Sequence, residues 1–135
     1  MNSVEILFKT RRFNLSEVGE HFTNPCCFGE DLAAWLREKL VASGIDAGQP
    51  YQEDWGWEFS AERGGNKYFF GMGGIPDGAA SEGNAGEWRV FVEKKRSIWQ
   101  WLTNSERLST NDAMALIVEQ ILRSQSDFKG VHFEV

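Results

Sequence analysis

The sequence predicts an α+β fold: a mainly antiparallel sheet of about five strands with two helices, ordered β-α-β-β-β-α-β in a two-layer sandwich. Three observations carry this reading. Two aromatic runs with period-two alternation flank Gly64-Gly65-Asn66, the signature of a β-hairpin. Two apolar stripes, around Leu32–Leu40 and Met114–Leu122, follow helical spacing instead. No internal repeat or composition break divides the 135 residues, a length suited to a single domain.

The elements follow in order. Val4 to Phe13 reads as a first strand, with Val4, Ile6 and Phe8 on one face and Glu5, Lys9 and Arg11 on the other. A connection from Ser16 to Cys27 ends near the turn signal Asn24-Pro25. From Phe28 to about Ser43 the spacing turns helical: Phe28, Leu32, Trp35, Leu36, Lys39 and Leu40 share a stripe. Glu30 and Asp31 complement the helix dipole, and Gly44 stands at the C-terminal cap.

The hairpin then spans Gln52–Arg63 and Lys67–Ile75. Alternation places Trp55, Trp57, Phe59 and Ala61 on one face and Asp54, Glu58, Ser60 and Glu62 on the other. Pro76–Gly86 is rich in small residues and reads as a mobile loop. Glu87–Lys95 is a strand whose polar side is broken by Phe91, which indicates partial cover on both faces. Ile98–Leu102 fits a strand or a helical turn equally. Ser109-Thr-Asn-Asp112 fits a capping signature, with Thr110 and Asn111 as alternative caps. The helix that follows carries Met114, Ile117, Val118, Ile121 and Leu122, with Glu119 and Arg123 as an i, i+4 pair. Phe128–Val135 closes the chain as a strand. The ends resemble the split βαβ arrangement of ferredoxin-like domains, in element order only.

Composition narrows the functions. The net charge of −6 repels phosphate backbones and anionic lipid, so neither nucleic acid nor membrane is expected as a partner. No apolar run approaches the roughly 18–20 residues that span a bilayer. A secretory signal is not expected either, since no basic region precedes a long apolar stretch. Cys26 and Cys27 are adjacent, a poor geometry for a disulfide, and so read as reduced thiols of a cytoplasmic protein. With His21 they form a fragment of a metal motif, but the full ligand spacing of a structural zinc site is missing. No metal or cofactor is expected.

The candidate sites cluster at the hairpin. Trp55-Gly56-Trp57 could form an aromatic platform, although alternation favours both indoles in the core, with Trp55 the more exposed. Glu53, Asp54 and Glu58 supply carboxylates beside it; an acid–base pair would need a partner such as Glu87 or Glu93 from another strand, whereas cross-strand ion pairing is the simpler role. The glycine-rich segment 71–86 lacks the remaining residues of a phosphate loop. Lys94-Lys95-Arg96 with Trp99 and Trp101 interleaves charge and rings, but the acidic whole disfavours a nucleic-acid role. There is no catalytic signature.

The resulting expectation is a non-enzymatic domain that binds another protein, through an acidic surface and the aromatics Trp55, Trp99 and Trp101, with Glu53 and Glu58 alongside. An accessory or immunity-type protein that neutralises a basic partner is one concrete form, and edge pairing into a homodimer is a further option. The alternative is a small-molecule-binding domain or an enzyme without a recognised motif, with a pocket between the hairpin and the glycine-rich loop. An exposed ring on a flat patch favours the first; a deep cleft lined by Trp55, Glu53 and Glu58 favours the second.

Overall fold

A computed structural model describes residues 3–17, 19–23, 27–77, 84–95 and 112–134. The elements are β1 (Ser3–Thr10), α1 (Glu30–Ala42), β2 (Asp46–Ala47), β3 (Tyr51–Glu53), β4 (Gly56–Arg63), β5 (Asn66–Pro76), β6 (Gly86–Lys95), α2 (Ala113–Arg123) and β7 (Lys129–Glu134). The strands form one open antiparallel sheet in the order β2-β4-β5-β6-β1-β7, and β3 also pairs with β4. An α+β fold is therefore present. No parallel pair occurs among the described strands, so the likeness to a split βαβ arrangement stops at element order.

Among the described residues the sheet has seven strands rather than about five, and both additions lie on the outer edge of β4. Asp46–Ala47 faces Glu62 and Ala61, while Tyr51–Glu53 faces Glu58 to Gly56. These pieces are too short to show periodicity, and Gly48 and Pro50 separate them. The single strand expected over Gln52–Arg63 breaks at Asp54–Trp55, because Glu53 pairs directly with Gly56 across a two-residue turn. The expected turn at the other end of β4 is present. Arg63 pairs with Asn66 across Gly64 and Gly65, whose φ of 58° and 78° suit the left-handed turns that link twisted strands.

The core lies on one sheet face. Ile6, Phe8, Trp88, Val90, Val92, Phe70, Met72 and Phe59 are all buried there, with Phe59 and Phe70 stacked at 5.0 Å across β4 and β5. Leu32, Leu36 and Leu40 of α1 complete the same cluster, as do Met114, Val118 and Leu122 of α2. Burying each such side chain contributes about 1.5–3 kcal/mol. α1 closes with Gly44 at φ 86°: the Gly44 N–H donates to the Val41 carbonyl and the Ile45 N–H to that of Leu40, both at 3.0 Å, which forms a Schellman cap.

α2 is capped later than the sequence pattern suggests. The Asp112 carboxylate accepts the Met114 N–H at 2.9 Å as the N-cap, while Ser109, Thr110 and Asn111 lie outside the described residues. The same carboxylate lies 3.3 Å from the Lys94 ammonium and accepts the Tyr68 hydroxyl at 3.3 Å. Lys94 occupies the core face of β6, opposite Tyr68, and is only 5% exposed. A buried cation on that face needs such a partner. The pair Glu119–Arg123 forms as expected, at 3.2 Å.

Candidate functional site: the second face of the sheet

Residues alternating with the core set form a second face on which no described helix packs. Its cross-strand rows follow from the register. One row runs Tyr51, Glu58, Gly71, Phe91, Glu5 and Glu134; the next runs Gly73, Arg89, Leu7 and His132. Phe91 and Phe69 are half-buried here although they carry large rings.

Trp55 belongs to this face. Alternation assigned it to the side of Trp57, but the turn at Asp54–Trp55 releases it from the strand pattern. Its indole folds over the second face and packs on Phe91, with ring centroids 4.8 Å apart. Gly71 lies beneath both rings. A Cβ there would come within 2.2 Å of Phe91 Cζ and 2.5 Å of Trp55 Cη2, so only glycine leaves room for this arrangement. Trp55 remains 45% exposed, whereas Trp57 is 5% exposed, with its indole N–H donating to the Cys27 carbonyl at 3.1 Å. The core role expected for Trp57 and Phe59 therefore holds. Gly56 marks a close backbone approach, its α-carbon facing the Met72 carbonyl.

Carboxylates border the rings. Glu58 neighbours Gly71 in the Trp55 row, and its pKa is raised, first by burial and then by the charge of Glu53, with Glu93 adding to the effect. The Tyr51 hydroxyl hydrogen-bonds to Glu58 and opposes that rise. Tyr51 is itself held neutral to higher pH, by burial and then by the Glu58 charge. The Glu53 and Glu93 carboxylates thus both act on Glu58, beside an exposed indole. Two other sets of charges on this face are in contact. Arg89 contacts Glu5 at 2.6 Å and Glu134 at 2.9 Å, and Glu62 faces Lys67 at 4.0 Å. A hydrogen bond with Glu134 is the largest cause raising the Glu5 pKa.

Next to Trp55 the face dips into a shallow groove of about 380 Å³, whose side-chain walls are Trp55, Phe91, Ile75, Glu87 and Arg89 and whose floor is the backbone at Gly73 and Gly74. Glu53 and Glu58 stand outside it, across the indole. Of the expected site residues, the structure gathers Trp55, Glu53 and Glu58 on one surface; Trp99 and Trp101 lie outside the described residues, as do Ile98–Leu102 and residues 78–83 of the glycine-rich loop. Gly73, Gly74 and Ile75 belong to the glycine-rich segment 71–86 expected to border a pocket, whereas the sequence does not mark Phe91 and Arg89 as site residues. Phe91 had a signal, an apolar residue on the polar side of its strand. Gly71 had none, because its role depends on a ring arriving from another strand.

The remaining sequence candidates lie apart. The His21 imidazole contacts Glu30 at 2.6 Å, and no group of three or more His, Cys, Asp or Glu residues suited to a metal ion occurs among the described residues. Cys27 is disulfide-bonded, contrary to the expectation of reduced thiols. No helix among the described residues is long and apolar enough to cross a membrane. Comparison with known proteins gives no match to a family model, a curated protein or a solved structure.

Proposed function

We propose that this chain is a non-catalytic protein-binding domain that docks a basic partner on the second face of its sheet. In this reading the helices and sheet form two layers, with one sheet face given to the core and the other to recognition. The observation that carries it is the position of Trp55: a large ring, 45% exposed, held over Gly71 beside Glu53, Glu58 and Glu93. An exposed aromatic anchor beside carboxylates suits a positively charged protein surface, since the partner's cations face the carboxylates while its apolar atoms cover the ring. The net charge of −6 steers such a partner in and disfavours nucleic acid. An immunity-type or accessory role is one form of this function.

The test is affinity capture from the source cells with wild-type and Trp55→Ala baits. A basic protein retained by the wild type and lost by a folded Trp55→Ala variant supports the reading. Equal retention by both baits, or an acidic protein as the specific partner, counts against it.

A further inference from the structure

The groove beside Trp55 has a chemistry of its own. Trp55, Phe91 and Ile75 give it apolar walls, and Ile75 is 69% exposed. Glu87 supplies the polar end. This carboxylate is half-buried and makes no hydrogen bond or ion pair among the described residues. Its cross-strand neighbour Lys9 turns to Asp77 instead, at 3.5 Å. The other charged wall, Arg89, is held between Glu5 and Glu134 at 2.6 and 2.9 Å, so its guanidinium is already matched by two carboxylates. The groove therefore offers an unmatched negative group at the end of an apolar channel, and its one positive group is satisfied.

We infer that this groove receives the long cationic side chain, arginine or lysine, of the basic protein partner. The methylene stem would lie against Trp55, Phe91 and Ile75, where burial favours it, and the charged head would meet the Glu87 carboxylate. The absence of a side chain at Gly73 lets the stem approach the sheet backbone. An anionic side chain is disfavoured because Glu87 repels it and Arg89 is engaged. A purely apolar side chain would fill the walls but leave Glu87 without a counter-charge. This inference rests on the docking reading above and specifies which partner chemistry that face selects.

The test titrates N-acetyl-arginine-N-methylamide into the isotopically labelled full chain and follows backbone amide signals. N-acetyl-norleucine-N-methylamide serves as the uncharged probe of similar length. The arginine probe should produce saturable shifts at Gly73, Gly74, Arg89 and Phe91, with affinity in the millimolar range expected for so small a ligand. Glu87→Gln should weaken it by about 2- to 5-fold, the scale of a partly exposed ion pair, and leave the norleucine probe unaffected. Ile75→Ser should weaken both probes. Equal affinity of the two probes, shifts scattered over the acidic surface, or indifference to Glu87→Gln would overturn the inference. A partner captured through Trp55 while the groove ignores the arginine probe would remove this inference and leave the docking reading standing.

Discussion

The Trp55 indole and the Phe91 ring meet at 4.8 Å directly above Gly71, on the sheet face opposite the core. The arrangement depends on a missing side chain. Gly71→Ala places a methyl group where both rings now lie, with distances of 2.2 and 2.5 Å that no ordinary contact tolerates. The expected result is displacement of both rings and a loss of about 1–3 kcal/mol, the usual cost of overpacking. Fluorine NMR of the 5-fluorotryptophan-labelled protein should show the Trp55 signal moving toward its solvent-exposed position, with the Trp57 signal unchanged.

The two indoles of the hairpin should respond differently to truncation. Trp57→Ala opens a cavity in the core and removes the hydrogen bond to the Cys27 carbonyl, so a loss of about 3–5 kcal/mol is expected. Trp55→Ala removes a half-exposed ring from the surface and should cost about 1 kcal/mol or less. Urea unfolding of the two variants checks the difference. Similar losses would mean that Trp55 belongs to the core after all.

Glu58 sets a pH dependence with a definite sign. Burial and the Glu53 charge raise its folded pKa above the ordinary value of 4.5. Below that value the group is protonated in both states and contributes nothing. As pH rises from there through the folded pKa, the unfolded chain releases the proton more readily, and stability falls. Glu58→Gln keeps an acceptor for the Tyr51 hydroxyl and removes the charge. The variant should therefore match the wild type in acid and exceed it in stability at neutral pH. Glu5 has a raised pKa as well and is present in both proteins, so only the difference between their urea-unfolding profiles is informative.

Asp112 has two roles that substitution can separate. Asp112→Asn retains a side-chain oxygen to cap α2 but removes the charge facing Lys94, whereas Asp112→Ala removes both. The alanine variant should lose about 2–3 kcal/mol, since it removes a charge-assisted contact to Lys94 together with the cap. The asparagine variant should lose less, by about 1 kcal/mol, the usual worth of an N-cap. Equal losses would show that the charge, and not the cap, dominates.

Much of this fold was legible because strands and helices leave different apolar periods. Ile6 and Phe8, Trp57 and Phe59, Leu32, Leu36 and Leu40, and Met114, Val118 and Leu122 fall where their spacing places them, whereas Lys39 of the first stripe is exposed. What escaped detection depends on contacts between distant segments. β2 and β3 are ordered by pairing with β4, not by a pattern of their own. Trp55 kept perfect parity with Trp57, yet a two-residue turn moved it to the opposite face. Asp112 both caps α2 and faces Lys94, a buried cation on β6, a contact that no spacing announces. At the candidate site, Trp55, Glu53, Glu58 and a pocket toward the glycine-rich segment could be named from sequence, whereas the role of Gly71 and the walls Arg89 and Phe91 needed the register of β5 against β6.

The central claim is that the face bearing Trp55 meets the partner. Photo-crosslinking tests it most directly, with p-benzoylphenylalanine placed at position 55 and, as control, at position 116. Leu116 is 44% exposed on α2, the helix side of the sheet, and so matches Trp55 in exposure but not in face. The account predicts that position 55 captures a basic protein in the source cells and that position 116 does not. Capture from position 116 with none from position 55 would contradict it.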